Sequence, residues 1–444
     1  MEEHLLAGFA RLDITPPLGV LIPGYYVTRI GDGVLDSLYM NAFAFKKGDK
    51  TALLVVCDLL SITGDLSLHL PKLVADAVGI EEEAVFICHT HTHTGPVVDS
   101  YREPSDAQYT EWFKRRLVDA ARLAIADCQP VTAIYGKEDG LEGMAYTRRF
   151  RMKDGRVTKP GYCDPNIDDY AEPFDNTMRV IRIERDNAKE LVLVNFQSHP
   201  DNIGGTKYSA DYPGYLRQQV EQERHCFCAF FNGAEGNMIP QSRKFPQRVK
   251  GYQGAKQYGL ELGACALRLC SQAEKLEGTD ALSFRRITLT YKTKLEGADL
   301  DRAALIANLF KEDRRDEIKA LLPHPEDYSG VCAEAIHLIY LRDNALYRIP
   351  MFLTVLSFGN IAFVGIPGEP FSQVGVDVRA ASPYAMTCIC CHTNGTVGYF
   401  PTEEAFENGG YEPYNTRFVK GTAEQVRDEA IKLLRQLKEK EANA

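Results

Sequence analysis

Along the chain, short apolar or alternating runs give way to longer stretches of helical period, and their succession predicts an α/β fold. Leu6 to Ile14 alternates and stops at Pro16-Pro17, as a strand closed by a rigid turn does. Residues 41–58 predict a hairpin turned at Gly48-Asp49, with Ala52 to Cys57 apolar enough to be a central strand. A helix over 64–79, a strand over Ala84 to Cys88, an amphipathic helix over 106–128 and a strand over Val131 to Tyr135 follow. The pattern continues with strands over 177–184 and 190–197, a helix over Gly214 to Glu223, a buried strand over Cys226 to Phe231 and a helix over Gly254 to Ala273. From 299 to 343 it turns to polar helices, read as an insertion or lid. Strands resume over 350–365, followed by a helix over 371–380, a strand over Ala385 to Cys390 and a charged helix over Ala423 to Lys440. The expectation is a mixed β-sheet core flanked by helices, one domain over 1–444 with no internal repeat.

Folds of this kind carry their sites beyond the carboxyl ends of strands, and polar groups gather there. The segment Val85 to Pro96 reads VFICHTHTHTGP. If it stays extended, His89, His91 and His93 share one face. At about 3.3 Å per residue, His89 and His93 lie roughly 13 Å apart, too far for ligand nitrogens that each sit about 2 Å from an ion. One or two of the row can hold a metal, with the remaining ligands supplied from elsewhere; taken alone, the row reads equally well as a polar loop. His199 ends another strand, before Pro200. Glu369 stands in GIPGEPF before a helix, where base rates favour an N-cap. Two histidines and a carboxylate make an open zinc site.

Other strand-end groups are less specific. Asp58 reads chiefly as a local cap, otherwise as support for a histidine. Asp211 precedes a helix, and Asn232 and Gly233 open the loop NGAEGNMIP, which could present backbone N–H groups. Arg148, Arg149 and Arg151 cluster near a turn, where arginines are usually solvated, although one could face an oxyanion. His324 and His337 read as surface or packing residues, and the CICCH run of Cys388, Cys390, Cys391 and His392 reads as core.

Composition narrows the function classes. With 444 residues, 45% hydrophobic and 25% charged, the chain can bury a large core. A net charge of -10 and no basic block argue against a nucleic-acid or anionic-membrane partner. No window has the length of a membrane span, so no stable membrane insertion is expected. MEEHLLAGFARLDITPP has neither a basic leader nor a long apolar stretch, which predicts no signal peptide. The 12 scattered cysteines read as reduced, mostly buried thiols of a cytoplasmic protein.

Taken in order, ITPP at Ile14, THTHTGP at Thr90, Arg148, His199-Pro200, Asp211, the Asn232 to Pro240 loop, PGEP at Pro367, and Tyr399 and Tyr411 around Thr402-Glu403-Glu404 form a pattern. It resembles the neutral (alkaline, non-lysosomal) ceramidases, in their N-terminal catalytic domain. The resemblance implies one catalytic Zn2+ held by His91, His199, Glu369 and Tyr399, with His93, Arg148 and Tyr411 facing a substrate amide. His93 or Glu369 would then move protons, and Arg148 with Tyr411 would stabilise the oxyanion. Three departures shape the expectation. The family's loop serine falls at Gly233, which points to a metal-activated water; His89 is an extra histidine, read as packing behind the site; and the family's C-terminal immunoglobulin-like domain is not found, as in a compact bacterial-type member.

The implied activity is a zinc-dependent amidohydrolase cleaving an N-acyl amide, a non-peptide C–N bond, in a small-molecule substrate with an acyl group. The alternatives are an esterase, lactonase or deacylase acting on a small soluble or sugar-derived substrate and, from another class, a non-catalytic binding protein that keeps the fold. Asp58, Asp211, Asn232, Gly233 and His89 are placed around the site as supporting or substrate-binding residues.

Overall fold

Apolar runs here divide by period two between two cores, so that several strands are buried on both faces. The computed structural model describes residues 4–25, 27–96, 98–99, 105–278 and 280–443; the acidic start, Met1 to Glu3, lies outside them. β1 (Leu6–Asp13), β2 (Tyr39–Lys47) and β3 (Lys50–Cys57) are antiparallel neighbours, and α1 (Gly64–Val78) returns the chain so that β4 (Val85–His89) runs parallel to β3. After α2 (Ala107–Ala126), β5 (Gln129–Gly140) pairs with β1 on its other side. The hairpin of β6 (Thr177–Arg185) and β7 (Ala188–Phe196) leads through α3 (Asp211–Arg224) to β8 (Phe227–Asn232), parallel to β7, and then to α4 (Gly251–Gln272). The spatial order is β8-β7-β6-β5-β1-β2-β3-β4, with the short strand Glu274–Lys275 beside β5.

A second sheet follows. β9 (Leu282–Lys292) precedes the helices α5 (Leu300–Lys311), α6 (Arg315–Ala320) and α7 (Tyr328–Asp343), which fill the segment expected to be a helical insertion. β10 (Arg348–Phe358), β11 (Ile361–Gly365), α8 (Ser372–Ala380) and β12 (Met386–Cys390) complete the order β9-β10-β11-β12. Two helices, α9 (Tyr411–Asn415) and α10 (Thr422–Ala442), end the described chain. β9 was not expected: it is an edge strand on which Arg285, Thr288 and Thr290 are exposed, on both of its faces, and those polar residues hide its period in the sequence.

The sheets face one another across one core, with Phe43, Phe45, Phe86 and Phe231 of the first sheet meeting Phe358 and Phe363 of the second. Phe45 stacks on Phe358 at 4.0 Å between ring centroids. In β3, Ala52, Leu54 and Val56 face this core while Leu53, Val55 and Cys57 face α1 and α2. Other helices cover the remaining outer faces, α3 and α4 over β6 to β8 and α8 and α10 over the second sheet. The layering is helix, sheet, sheet, helix, in agreement with the expected α/β class.

One unit occurs three times: an antiparallel hairpin, a helix, and a strand parallel to the second strand of the hairpin. It is built by β2-β3-α1-β4, by β6-β7-α3-β8 and by β10-β11-α8-β12. The absence of a repeat in the sequence therefore does not hold for the architecture. The carboxyl ends of the parallel strands meet: Asn232 Nδ2 donates to the Thr90 carbonyl at 3.1 Å, and Cys391 N donates to the Asn232 carbonyl at 3.1 Å.

Candidate metal centre and its cleft

The histidine row does not stay extended. β4 stops at His89, and His91 takes a left-handed backbone conformation with φ 69°, which rotates the following residues out of strand register. His91 and His93 thereby converge, their rings edge to face at 4.9 Å, while the buried His89 stays behind near His392, 6.5 Å between centroids. His199, just past β7, closes the group, with its ring 5.2 Å from that of His91.

Glu369 enters from the other sheet. It is not a helix cap, since Phe371 holds that position at α8. It pairs instead in a short parallel bridge with Tyr399, which sets the two residues side by side. Its Oε2 lies 3.2 Å from His199 Nε2 and 3.8 Å from His91 Nε2, and no hydrogen bond of ordinary geometry satisfies it. Gly236 permits this approach, since a Cβ there would lie 2.4 Å from the Glu369 carbonyl oxygen.

The far side of each ring is held by the protein. His91 Nδ1 donates to the Leu60 carbonyl at 2.9 Å, and His199 Nδ1 faces the carbonyls of Glu235 and Met238 at 3.0 Å and the Glu235 carboxylate. Both Nε2 atoms are therefore turned toward Glu369. Glu235 is fully buried and also meets His392 Nε2 at 3.4 Å, and His392 stacks on His91 at 4.1 Å. One ligand atom from each of His91, His199, Glu235 and Glu369 lies within 4.8 Å of the others, as do those of His91, His93 and His199, and those of Glu235, Cys391 and His392. These buried groups could hold a metal ion.

Burial lowers the imidazoles, to about 4 for His93 and about 3 for His89. His199 goes the other way. Burial pulls it down, but Glu235 and Glu369 outweigh this and hold it at about 9. The carboxylates of Glu235 and Glu369 thus favour positive charge at the His199 ring.

Arg148 and Arg149 are not solvated. Arg148 Nε donates to Glu412 at 2.6 Å and its Nη2 to the Gly236 carbonyl at 2.8 Å, while Nη1 points at His199 Nε2 from 3.3 Å. Arg149 binds Glu412 and Glu172, and only Arg151 stays exposed. The Arg148 guanidinium lies 5.4 Å from the Tyr399 ring and 5.7 Å from that of Tyr411. Two adjoining cavities open on the group. One of about 130 Å³ is lined by His91, His93, Glu369, Tyr399 and Tyr411, and one of about 410 Å³ by His93, Arg148, His199, Tyr399 and Tyr411. His337, expected to be a packing residue, lines the first of these; His324 is exposed.

The second tier lies elsewhere. Asp58 touches no histidine; it forms a two-pronged ion pair with Arg217 at 2.7 and 2.6 Å and accepts from Thr90 Oγ1. Asp211 accepts backbone N–H groups of Asn202 and Ile203 at 2.9 Å, which fixes the loop after His199. Asn232 ties the Thr90 and Ser198 backbones together, and Gly233 donates to the Phe196 carbonyl. None of these four lines the two cavities, and their hydrogen bonds hold the loops that carry the histidines. His89 belongs to none of the donor groups. Sequence reasoning missed Glu235 and His392, although Glu235 is the sole charged residue between Phe227 and Pro240.

No family model matches the sequence, and no protein of curated function does so either. Solved structures do match. The neutral ceramidase from Pseudomonas aeruginosa superposes with a TM-score of 0.73 at 17% identity, over 98% of this chain and 75% of that one. A ceramidase complexed with C2 gives 0.73 at 16% identity, over 99% and 76%. The chain therefore has the neutral-ceramidase fold across nearly its whole described length.

Proposed function

We propose that the protein is a metal-dependent hydrolase that cleaves an N-acyl amide of a small polar substrate, with one zinc ion held by His91, His199, Glu369 and Tyr399. The observation that carries the reading is the convergence of two histidines and an unsatisfied carboxylate in one buried cluster beside Arg148, His93 and Tyr411. Nitrogen, nitrogen and oxygen donors suit zinc, and Tyr399 stands next to Glu369 as the fourth. A bound ion of this kind supplies Lewis acidity, which lowers the pKa of water toward about 7 and polarises a carbonyl.

The chain's own residues supply the rest. Arg148, braced by Glu412, faces the place where charge develops on the carbonyl oxygen. Asn415 Nδ2 donates to the Tyr411 hydroxyl oxygen at 2.8 Å, which holds that hydroxyl at the wall of the cleft, beside Arg148. His93 is neutral near pH 7, and among the described residues neither ring nitrogen has a hydrogen-bond partner, which suits it to take a proton from the attacking water and deliver it to the leaving amine. Among the described residues no leucine, isoleucine, valine or methionine lines the 410 Å³ cavity, which favours a small polar substrate over a long acyl chain. Among the described residues no helix is long and apolar enough to cross a membrane. All 12 cysteines are free thiols, in keeping with the reducing conditions of the cytoplasm.

The test is hydrolysis of N-acyl amines, esters and lactones of matched size. Turnover of the amides should stop with a chelator and return with zinc. Zinc-reconstituted protein that releases no amine from any of them would overturn the proposal, and faster turnover of esters or lactones would move the substrate class to those.

A further inference from the structure

Beside the histidines, the cleft continues into a side cavity of about 110 Å³, and Arg148, Lys159, His199 and Asp201 belong to the walls of both. Lys159 and Arg243 both line the side cavity, alongside Lys250 and Arg248, the latter paired with Glu261. Lys159 is open to the solvent of the cleft, and no carboxylate lies within ion-pair distance of its ammonium among the described residues. Arg243 is half-buried in the side cavity and makes no ion pair there either. Its guanidinium lies 4.0 Å over the Tyr162 ring, which fixes its plane, and its buried Nε has no partner among the described residues. This sets the pair apart from the buried Arg148 and Arg149, each of which is matched by Glu412.

The acids nearby are already engaged. Asp201 accepts from the Tyr25 hydroxyl and faces His93 as well as Lys159. Glu326 on the opposite wall is paired with Arg156. Although the Lys159 side chain reaches the solvent of the cleft, the surrounding walls desolvate its ammonium and lower it to about 8, and Arg148 and Arg243 add to the effect. A pocket with a planar guanidinium and a free ammonium, next to a reaction centre, suits an anion that can take hydrogen bonds from both.

We propose that Lys159 and Arg243 form a receptor for an anionic group, a carboxylate or a phosphate, carried by the substrate on the side of the cleft away from His91. That the ligand is a substrate rests on the hydrolase reading above; that the receptor binds anions does not. It narrows the substrate class to N-acyl compounds with a negative charge a few bonds from the scissile amide.

The experiment has two arms. In the first, inorganic phosphate and succinate are titrated separately into the intact protein by calorimetry, for wild type, Lys159→Met and Arg243→Met. Binding of at least one anion, weakened about tenfold or more by either substitution, is expected. Wild type that binds neither anion, or binding that both variants retain, overturns the receptor. In the second, N-acyl amino acids, N-acyl aminoalkyl phosphates and neutral N-acyl amino alcohols are compared as substrates. A higher kcat/KM for one charged class is expected, lost in the variants mainly through KM and with the neutral substrates unaffected. Equal or better turnover of the neutral substrates overturns the substrate assignment. If no compound is hydrolysed but anion binding depends on Lys159 and Arg243, the hydrolase reading fails and the receptor stands.

Discussion

Gly236 shows how little room the centre leaves. Its amide donates to the Pro370 carbonyl at 2.9 Å, its carbonyl accepts from Arg148, and its missing side chain admits the Glu369 backbone. Gly236→Ala must push Glu369 outward, and zinc affinity is expected to fall by about 10- to 100-fold with a stability loss of about 1–3 kcal/mol. Competition with a chromophoric chelator measures this, and an unchanged affinity would count against Glu369 as a ligand. Glu412 gives a second prediction at the same scale. Burial pushes its pKa up, but Arg148 and Arg149 outweigh it and bring it from 4.5 to about 2. Because the folded value is the lower one, the stabilisation is complete above pH 4.5 and is lost as pH falls toward 2. It is worth about 3 kcal/mol, so Glu412→Gln should flatten the acid limb of the stability curve and lower stability at pH 7; parallel wild-type and variant curves would contradict the pairing.

At the scale of elements, the strand ends were legible and their cross-connections were not. His91, His199 and Glu369 could be picked out because each follows an apolar run, which is a local property of the sequence. Arg148 was visible as a residue type, but its burial depends on Glu412, 264 positions away, and no local pattern reports such a pairing. Asp58 was read as a cap of its own strand for the same reason, whereas its partner Arg217 sits on α3. Glu235 was overlooked because a glycine-bearing loop suggests backbone donors, and His392 because the surrounding cysteines suggest core. β9 went unseen because an edge strand needs only half its residues to be apolar. The Asp58–Arg217 pair joins the first unit to the second, and both residues are buried. Asp58→Ala is expected to cost about 3–5 kcal/mol by denaturant titration while the folded fraction keeps its metal. Loss of metal at intact stability would instead make Asp58 part of the centre.

For the whole molecule, the three hairpin-helix-strand units explain why residues so far apart in sequence meet. Each unit aims the carboxyl ends of two parallel strands at the same point: the first brings His91, the second His199 and Glu235, the third Glu369 and His392. The helical segment α5 to α7 then walls the outer cleft, where Gly330 packs against Tyr414 close to Tyr411. Assembly of the centre therefore requires the complete fold, and no single segment could bind the ion alone. The most direct measurement is the metal content of purified protein by mass spectrometry, for wild type and for His91→Ala and His199→Ala, with circular dichroism as a check on folding. The account predicts about one zinc per wild-type chain, lost in both variants while the fold is kept. A folded wild-type protein that carries no zinc, and whose melting temperature does not respond when zinc is added, would contradict it.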